Sequence, residues 1–170
     1  VVDELSVQQV RGHLPDAGSV AAGDYPLSRS LFLYTSSREL HNKPQVAAFI
    51  AYYLQHLPEV VDAAGFFMAD EEQLAEQAAA VAAALQLDAL PAVAPADFEG
   101  DIVISGSSTL YPITRIMADR FMADGFRGTI TIDPTGTTAG LGAFCLENDR
   151  GIDIVNAGRE ALATEFAACR

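Results

Sequence analysis

Positive charge is scarce in this chain. Ten lysines and arginines stand against 23 aspartates and glutamates, a formal net charge of −13. That balance argues against nucleic acid and anionic membranes as bulk electrostatic partners. It leaves room for a small bound anion, because local donors act at contact distance while remote charges are screened within about 10 Å. Long apolar runs are missing too, and none could span a bilayer. The first residues, Val1-Val2-Asp3-Glu4, lack the basic start and apolar core of a signal peptide, as expected of a mature form or an excised segment. Charged residues are only 19% and hydrophobic ones 50%, which argues against disorder. The 170 residues suffice for one domain with a core, burying roughly 70% of its extended surface.

Catalytic and metal signatures are equally sparse. His13, His41 and His56 show no metal-ligand spacing. Asp70-Glu71-Glu72 reads as acids gathered at a helix start, where the dipole favours them, rather than as a metal site. Gly136-Thr137-Thr138-Ala139-Gly140-Leu141-Gly142 has the wrong glycine order for a dinucleotide fingerprint, and no phosphate-loop lysine follows a glycine turn. Ser107 or Ser108 as a nucleophile would need a Gly-x-Ser-x-Gly elbow and a nearby histidine, and neither is evident. No cofactor is expected. There are two cysteines, Cys145 and Cys169. Their spacing leaves open a disulfide, which would suit an oxidising compartment, or two buried free thiols.

What the chain does contain is a pair of hydroxyl-rich turns. Gly106-Ser107-Ser108-Thr109-Leu110-Tyr111-Pro112 lies between an apolar strand pattern and an amphipathic helix pattern. Thr135-Gly136-Thr137-Thr138-Ala139-Gly140 occupies the next strand-to-helix junction. Such turns offer unpaired N–H groups, a favourable helix dipole and hydroxyl donors, which together suit an oxyanion held between them. Helix capping by the same hydroxyls is the plainer alternative.

The rest of the chain supplies the frame. Residues 1–23 are punctuated by glycine and proline and read as loop with one short strand or helical turn. Residues 25–29 read as extended, 31–35 as a buried strand and 36–43 as a polar loop. A helix opens at Pro44 and carries Val46, Phe49, Ile50, Tyr53 and Leu57 at helical spacing. A short helix restarts at Pro58 and ends at Gly65, and residues 66–68 read as a short extended piece. Residues 74–87 are alanine-rich and helical, with Leu74, Val81 and Leu85 forming a narrow apolar face. Residues 88–99, with Pro91 and Pro95, read as a linker. From residue 100 onward the order is β-α-β-α-β, which predicts parallel strands with right-handed crossovers and ligand binding beyond their carboxyl ends.

These motifs carry a family resemblance. Residues 100–170 resemble the beginning of the phosphate-binding receptors of phosphate ABC transporters, through the Gly-Ser-Ser-Thr-x-Tyr-Pro turn, the 136–140 turn with Phe144-Cys145, Asp153-Ile154, Ala157-Gly158-Arg159, Glu165 and Cys169. Residues 23–69 resemble the late part of the same receptors. There Tyr25-Pro26-Leu27-Ser28-Arg29 and Leu31-Phe32-Leu33-Tyr34 are similar to a hinge-crossing strand. The late part comes first here and the middle is missing. The resemblance therefore implies one lobe of a class II periplasmic binding protein in circularly permuted order. Segment 1–87 resembles the C-terminal part and segment 100–170 the N-terminal part; residues 88–99 join them into one domain. A tandem parent, an excision and an engineered permutation would all give this order.

The implied fold is a three-layer α/β lobe: a mostly parallel sheet with one antiparallel hinge-type strand, and helices on both faces. The implied ligand is inorganic phosphate or a similar oxyanion, held by Ser107, Ser108, Thr109, the backbone of Leu110, Thr137 and Thr138. Arg159 falls near a position that is acidic in some members, so it would add a cation where they have a proton acceptor; a surface ion pair is its alternative. The parent would be periplasmic or extracellular and dock on an ABC permease, and Cys145 and Cys169 would pair. Three functions follow for testing. The first is a weak oxyanion half-site. The second is a non-binding structural lobe that forms a homodimer through the face of the missing lobe, with Phe66, Phe67 and the segment near Tyr25 as its apolar patch. The third is an enzyme whose turnover would vanish on Ser108→Ala.

Overall fold

The structure is a computed structural model and describes residues 9–68, 70–146 and 151–169. Four strands form one sheet: β1 (Phe32–Tyr34), β2 (Glu99–Gly106), β3 (Arg127–Asp133) and β4 (Ile154–Ala157). Their spatial order is β1-β4-β2-β3. β2 runs parallel to both β3 and β4, while β1 is antiparallel to β4. The mostly parallel sheet and its one antiparallel strand are as expected. The expected third strand was to start at Gly151, but β4 begins three residues later.

Seven helices accompany the strands among the described residues: α1 (Ala17–Ala21), α2 (Ser37–Asn42), α3 (Pro44–Val60), α4 (Glu71–Ala84), α5 (Tyr111–Ala123), α6 (Thr137–Leu146) and α7 (Ala163–Ala168). α3 and α5 cover one sheet face. Phe49, Tyr52 and Tyr53 of α3 and Met117 and Phe121 of α5 enclose Ile102, Ile104 and Ile154 in the main core. Phe49 and Tyr52 both meet the Phe121 ring edge-on. α6 lies on the other face, where a Cβ at Gly140 would come within 3.2 Å of Val155. Alternation along the strands, period two, sends Ile102 and Ile104 to one face and Val103 and Ser105 to the other.

Several local expectations are corrected. Residues 36–43 are not a loop: Ser36 accepts from the Glu39 N–H at 3.1 Å and starts α2. Residues 25–28 form a turn rather than an extended run, with the Ser28 N–H donating to the Tyr25 carbonyl at 3.1 Å. Pro26 at the second position favours that turn. No new helix starts at Pro58; α3 continues through it to Val60, since a proline in the last turn costs only one nearby hydrogen bond. α4 stops at Ala84, and residues 66–68 pair with no strand. Phe66 and Met68 instead pack on the core, leaving Phe67 exposed. The 88–99 stretch contains a short 3₁₀ turn, Pro95–Asp97, and runs directly into β2.

One ion pair to a buried carboxylate ties the start of α3 to the sheet. Asp153, fully buried just before β4, accepts from Lys43 Nζ at 2.5 Å and from the Val103 N–H at 2.9 Å. Burial pushes its carboxyl pKa up, against the pull of Lys43 and the Val103 N–H.

Candidate functional site

The sheet brings both hydroxyl turns to one rim. β2, β3 and β4 are parallel, so the turns after Gly106 and Asp133 and the segment after Ala157 all leave from the same edge. Glycine makes the close approach possible. Gly106 has φ of 122°, and a Cβ there would sit 2.2 Å from the Asn156 carbonyl oxygen. A Cβ on Gly140 would sit 2.6 Å from Gly106 Cα, so α6 packs backbone to backbone against the first turn. The Gly136 N–H donates to the Gly106 carbonyl at 2.7 Å, and Ser105 Oγ shares a 2.9 Å hydrogen bond with Thr135 Oγ1.

The turns meet around Gly158. A methyl group on that glycine would lie 3.1 Å from Ser107 Oγ, 3.7 Å from Thr137 Oγ1 and 3.9 Å from Arg29 Nη2. Arg29 arrives from the segment just before β1, and its Nη2 donates to Thr109 Oγ1 at 3.4 Å.

The hydrogen bonds already present orient these hydroxyls. Ser107 Oγ accepts from the Thr109 N–H at 3.2 Å, and Thr137 Oγ1 accepts from the Gly158 N–H at 3.0 Å. Thr109 Oγ1 accepts from Arg29, and Thr138 Oγ1 accepts from Arg159 Nη2 at 3.0 Å. Each oxygen thus receives an N–H, which leaves its own proton to be donated. Among the described residues, none of these four hydroxyls donates to a protein acceptor.

Some backbone groups are committed and others are open. The Ser107 N–H donates to the Asn156 carbonyl at 2.7 Å. The amides of Ser108 and Leu110, and those of Thr137, Thr138 and Ala139 in the first turn of α6, find no acceptor among the described residues. They are the orphan donors that strand-to-helix junctions leave. Leu110 is itself buried, so only its main chain can face the rim.

Arg159 is paired. It meets Glu165 with two bonds, Nη1 to Oε2 at 2.9 Å and Nη2 to Oε1 at 2.8 Å. Arg159, with help from the Leu162 N–H, pulls the Glu165 carboxyl down to about 2. The ion-pair alternative for Arg159 is therefore present, while its contact with Thr138 keeps it at the edge of the cradle. Arg29 differs: among the described residues no carboxylate lies within ion-pair distance of it. Sequence reading assigned the Tyr25–Arg29 stretch to the hinge and did not place this arginine beside the hydroxyl turns. The signal was weak, since 80 positions separate Arg29 from Thr109.

The disulfide between Cys145 and Cys169 is present and ties the end of α6 to the end of α7. A cavity of about 460 Å³ lies beside it, lined by Tyr34, Phe144, Glu165 and Phe166, and none of the hydroxyl-turn residues is in its wall. Among the described residues no histidine, cysteine and carboxylate cluster could hold a metal. No described helix is long and apolar enough to cross a membrane.

Fold and rim together define an α/β domain, a mixed four-stranded sheet between helices with a donor-rich edge. Known proteins give the particulars. The structure is similar to the crystal structure of a phosphate-binding protein of a phosphate ABC transporter from Streptococcus pneumoniae TIGR4, with a TM-score of 0.70 and 19% identity, over 98% of this chain and 58% of that one. The sequence is 35% identical over 69 residues to Protein SphX of Synechococcus elongatus, a match that takes in 41% of this chain and 20% of SphX. The chain therefore spans about a fifth of the curated relative it matches. No family model matches it.

Proposed function

We propose that this chain is the oxyanion-binding lobe of an ABC-transporter-type solute-binding protein, with inorganic phosphate as its ligand. One observation carries the reading: four hydroxyls at one rim each accept one N–H and keep a proton free to donate. Open amides at the starts of α5 and α6 add donors of the same sense. The likeness to a phosphate-binding protein supports phosphate as the ligand. Ser107, Ser108, Thr109, the Leu110 N–H, Thr137 and Thr138 are the proposed ligands, with Arg159 at the edge.

The proposal extends to the whole protein. The lobe is permuted: residues 1–87 correspond to the end of a receptor and 100–170 to its beginning, in support of which β1 pairs with β4 across the linker. A full receptor would close a second lobe over the anion, sit outside the cytoplasmic membrane and dock on an ABC permease. One lobe supplies half the donors, so the expected affinity is millimolar, about 4 kcal/mol. Calorimetry on the monomer tests this. Saturable millimolar binding of phosphate is the expected result; micromolar binding by a monomer would contradict the half-site.

A second reading, a non-binding lobe that self-associates, keeps the exposed Phe67 of the expected patch but loses Phe66, which packs on the core; Leu27, Leu162 and Phe166 add exposed apolar surface elsewhere. Light scattering during a phosphate titration separates the two. A dimer indifferent to phosphate favours the second reading, and a monomer that binds phosphate favours the first.

A further inference from the structure

We propose that the cradle is a donor-rich site without a carboxylate acceptor, charge-balanced by Arg29, that selects fully ionised dianionic oxyanions and therefore takes sulfate at least as well as phosphate. The inference rests on the oxyanion reading above and goes beyond it in naming the ligand's charge state and the residue that answers it.

The argument begins with what surrounds Gly158. Ser107 is 6% exposed, and its hydroxyl proton meets no acceptor among the described residues. Its neighbours across the glycine are the Thr137 hydroxyl and the Arg29 guanidinium. Thr109, Thr138 and the open amides of α5 and α6 extend the same array. No carboxylate bonds to any of these hydroxyls among the described residues. Glu165, the acid closest in connectivity, is occupied by Arg159 and the Leu162 N–H.

A ligand's protons decide the rest. Sulfate has four oxygens and no proton near neutral pH, so every contact can be N–H or O–H to oxygen. Phosphate carries one proton as the dianion and two as the monoanion. Each such proton wants an acceptor, and a protonated oxygen accepts more weakly from a donor. A site whose acceptors are only the spare lone pairs of hydroxyls, with no carboxylate, therefore ranks sulfate and the phosphate dianion above the monoanion.

Arg29 supplies the charge. In a chain of net charge −13, a guanidinium without an acidic partner is unusual, and this one reaches the rim. Arg11 also has no ion pair among the described residues, but it sits in the bend between Val10 and His13 and bonds to no cradle residue. It provides a control with the same change in net charge.

The experiment is a set of equilibrium titrations of the full chain with sodium sulfate and with sodium phosphate, from about pH 5.5 to about pH 8, where phosphate passes from mono- to dianion. Sulfate affinity should stay flat, which also controls for titration of the protein's own groups. Phosphate affinity should rise with pH toward the sulfate value. Arg29→Gln should weaken both anions about tenfold or more, Arg29→Lys should restore part of the loss, and Arg11→Gln should change neither. Phosphate binding that excludes sulfate, or that favours the monoanion, would overturn the carboxylate-free, donor-rich site while leaving the oxyanion reading in place. Equal affinity in Arg29→Gln would overturn the role of Arg29 alone. Failure of both anions to bind the unaltered chain would remove the oxyanion reading itself.

Discussion

Ser107 Oγ and Thr137 Oγ1 face a common point at Gly158, 3.1 Å and 3.7 Å from where that glycine's side chain would begin. The two hydroxyls come from different strand-to-helix junctions, 30 positions apart, and the parallel pairing of β2 with β3 and β4 brings them to one edge. Gly158 has no positive φ, so its lack of a side chain serves space rather than backbone freedom.

That space can be filled. Gly158→Ala should weaken oxyanion binding about tenfold or more, and the added methyl, 3.1 Å from the buried Ser107 hydroxyl, should cost about 1 kcal/mol of stability. Titration and urea unfolding of the same preparation measure both. Unchanged affinity with a folded variant would mean that the ligand does not use this point.

The disulfide closes a loop of 24 residues between Cys145 and Cys169, which corresponds to about 3 kcal/mol of stabilisation on loop-entropy grounds. Replacing both cysteines by serine should lower unfolding stability by roughly 2–4 kcal/mol. Because α6 carries Thr137 and Thr138, anion affinity should fall with it. Two reactive thiols in the folded, unreduced protein would contradict the bond.

Lys43 neutralises a carboxylate that has no access to water. Lys43→Met should cost roughly 3 kcal/mol, because Asp153 is left as a buried charge. The buried Asp153 takes up a proton more readily folded than unfolded, so this loss should shrink as the pH falls through the folded value. Denaturation curves at neutral and acid pH check both magnitude and sign.

Glu165 behaves oppositely. Its folded pKa is depressed to about 2, so the stability it contributes is present above the ordinary carboxylate value near 4 and is lost as the pH falls toward about 2. Glu165→Gln should be less stable than the unaltered chain at neutral pH. The two should converge in strong acid. A constant gap from pH 7 to about pH 2 would show that Arg159 does not hold the carboxylate in solution.

Much of this arrangement is written in local pattern. The alternation of β-like and helical periods after residue 100 specifies three parallel strands, and Val46, Phe49, Ile50 and Tyr53 specify the face of α3 that forms the core. The hydroxyl turns are visible because glycine, serine and threonine cluster at strand ends. Other elements were hidden. α2 looks polar, yet Ser36-Ser37-Arg38-Glu39 holds a capping signal, and Glu39 is buried beside Lys43. The turn at Tyr25–Ser28 was lost because an aromatic and a leucine flank the proline. Arg29 could not be placed from sequence, since its role depends on a contact across 80 positions. The partnership of Arg159 with Glu165 is likewise one of two open choices in the sequence, since it joins the segment after β4 to the first turn of α7.

The most direct test of the central claim is a phosphate titration of the isotope-labelled chain followed by nuclear magnetic resonance. The amide resonances of Ser108, Leu110, Thr137 and Thr138 should shift together, saturate with one millimolar-range dissociation constant, and do so less in Gly158→Ala. Shifts confined to one turn, or none at either turn, would contradict a single anion held between them.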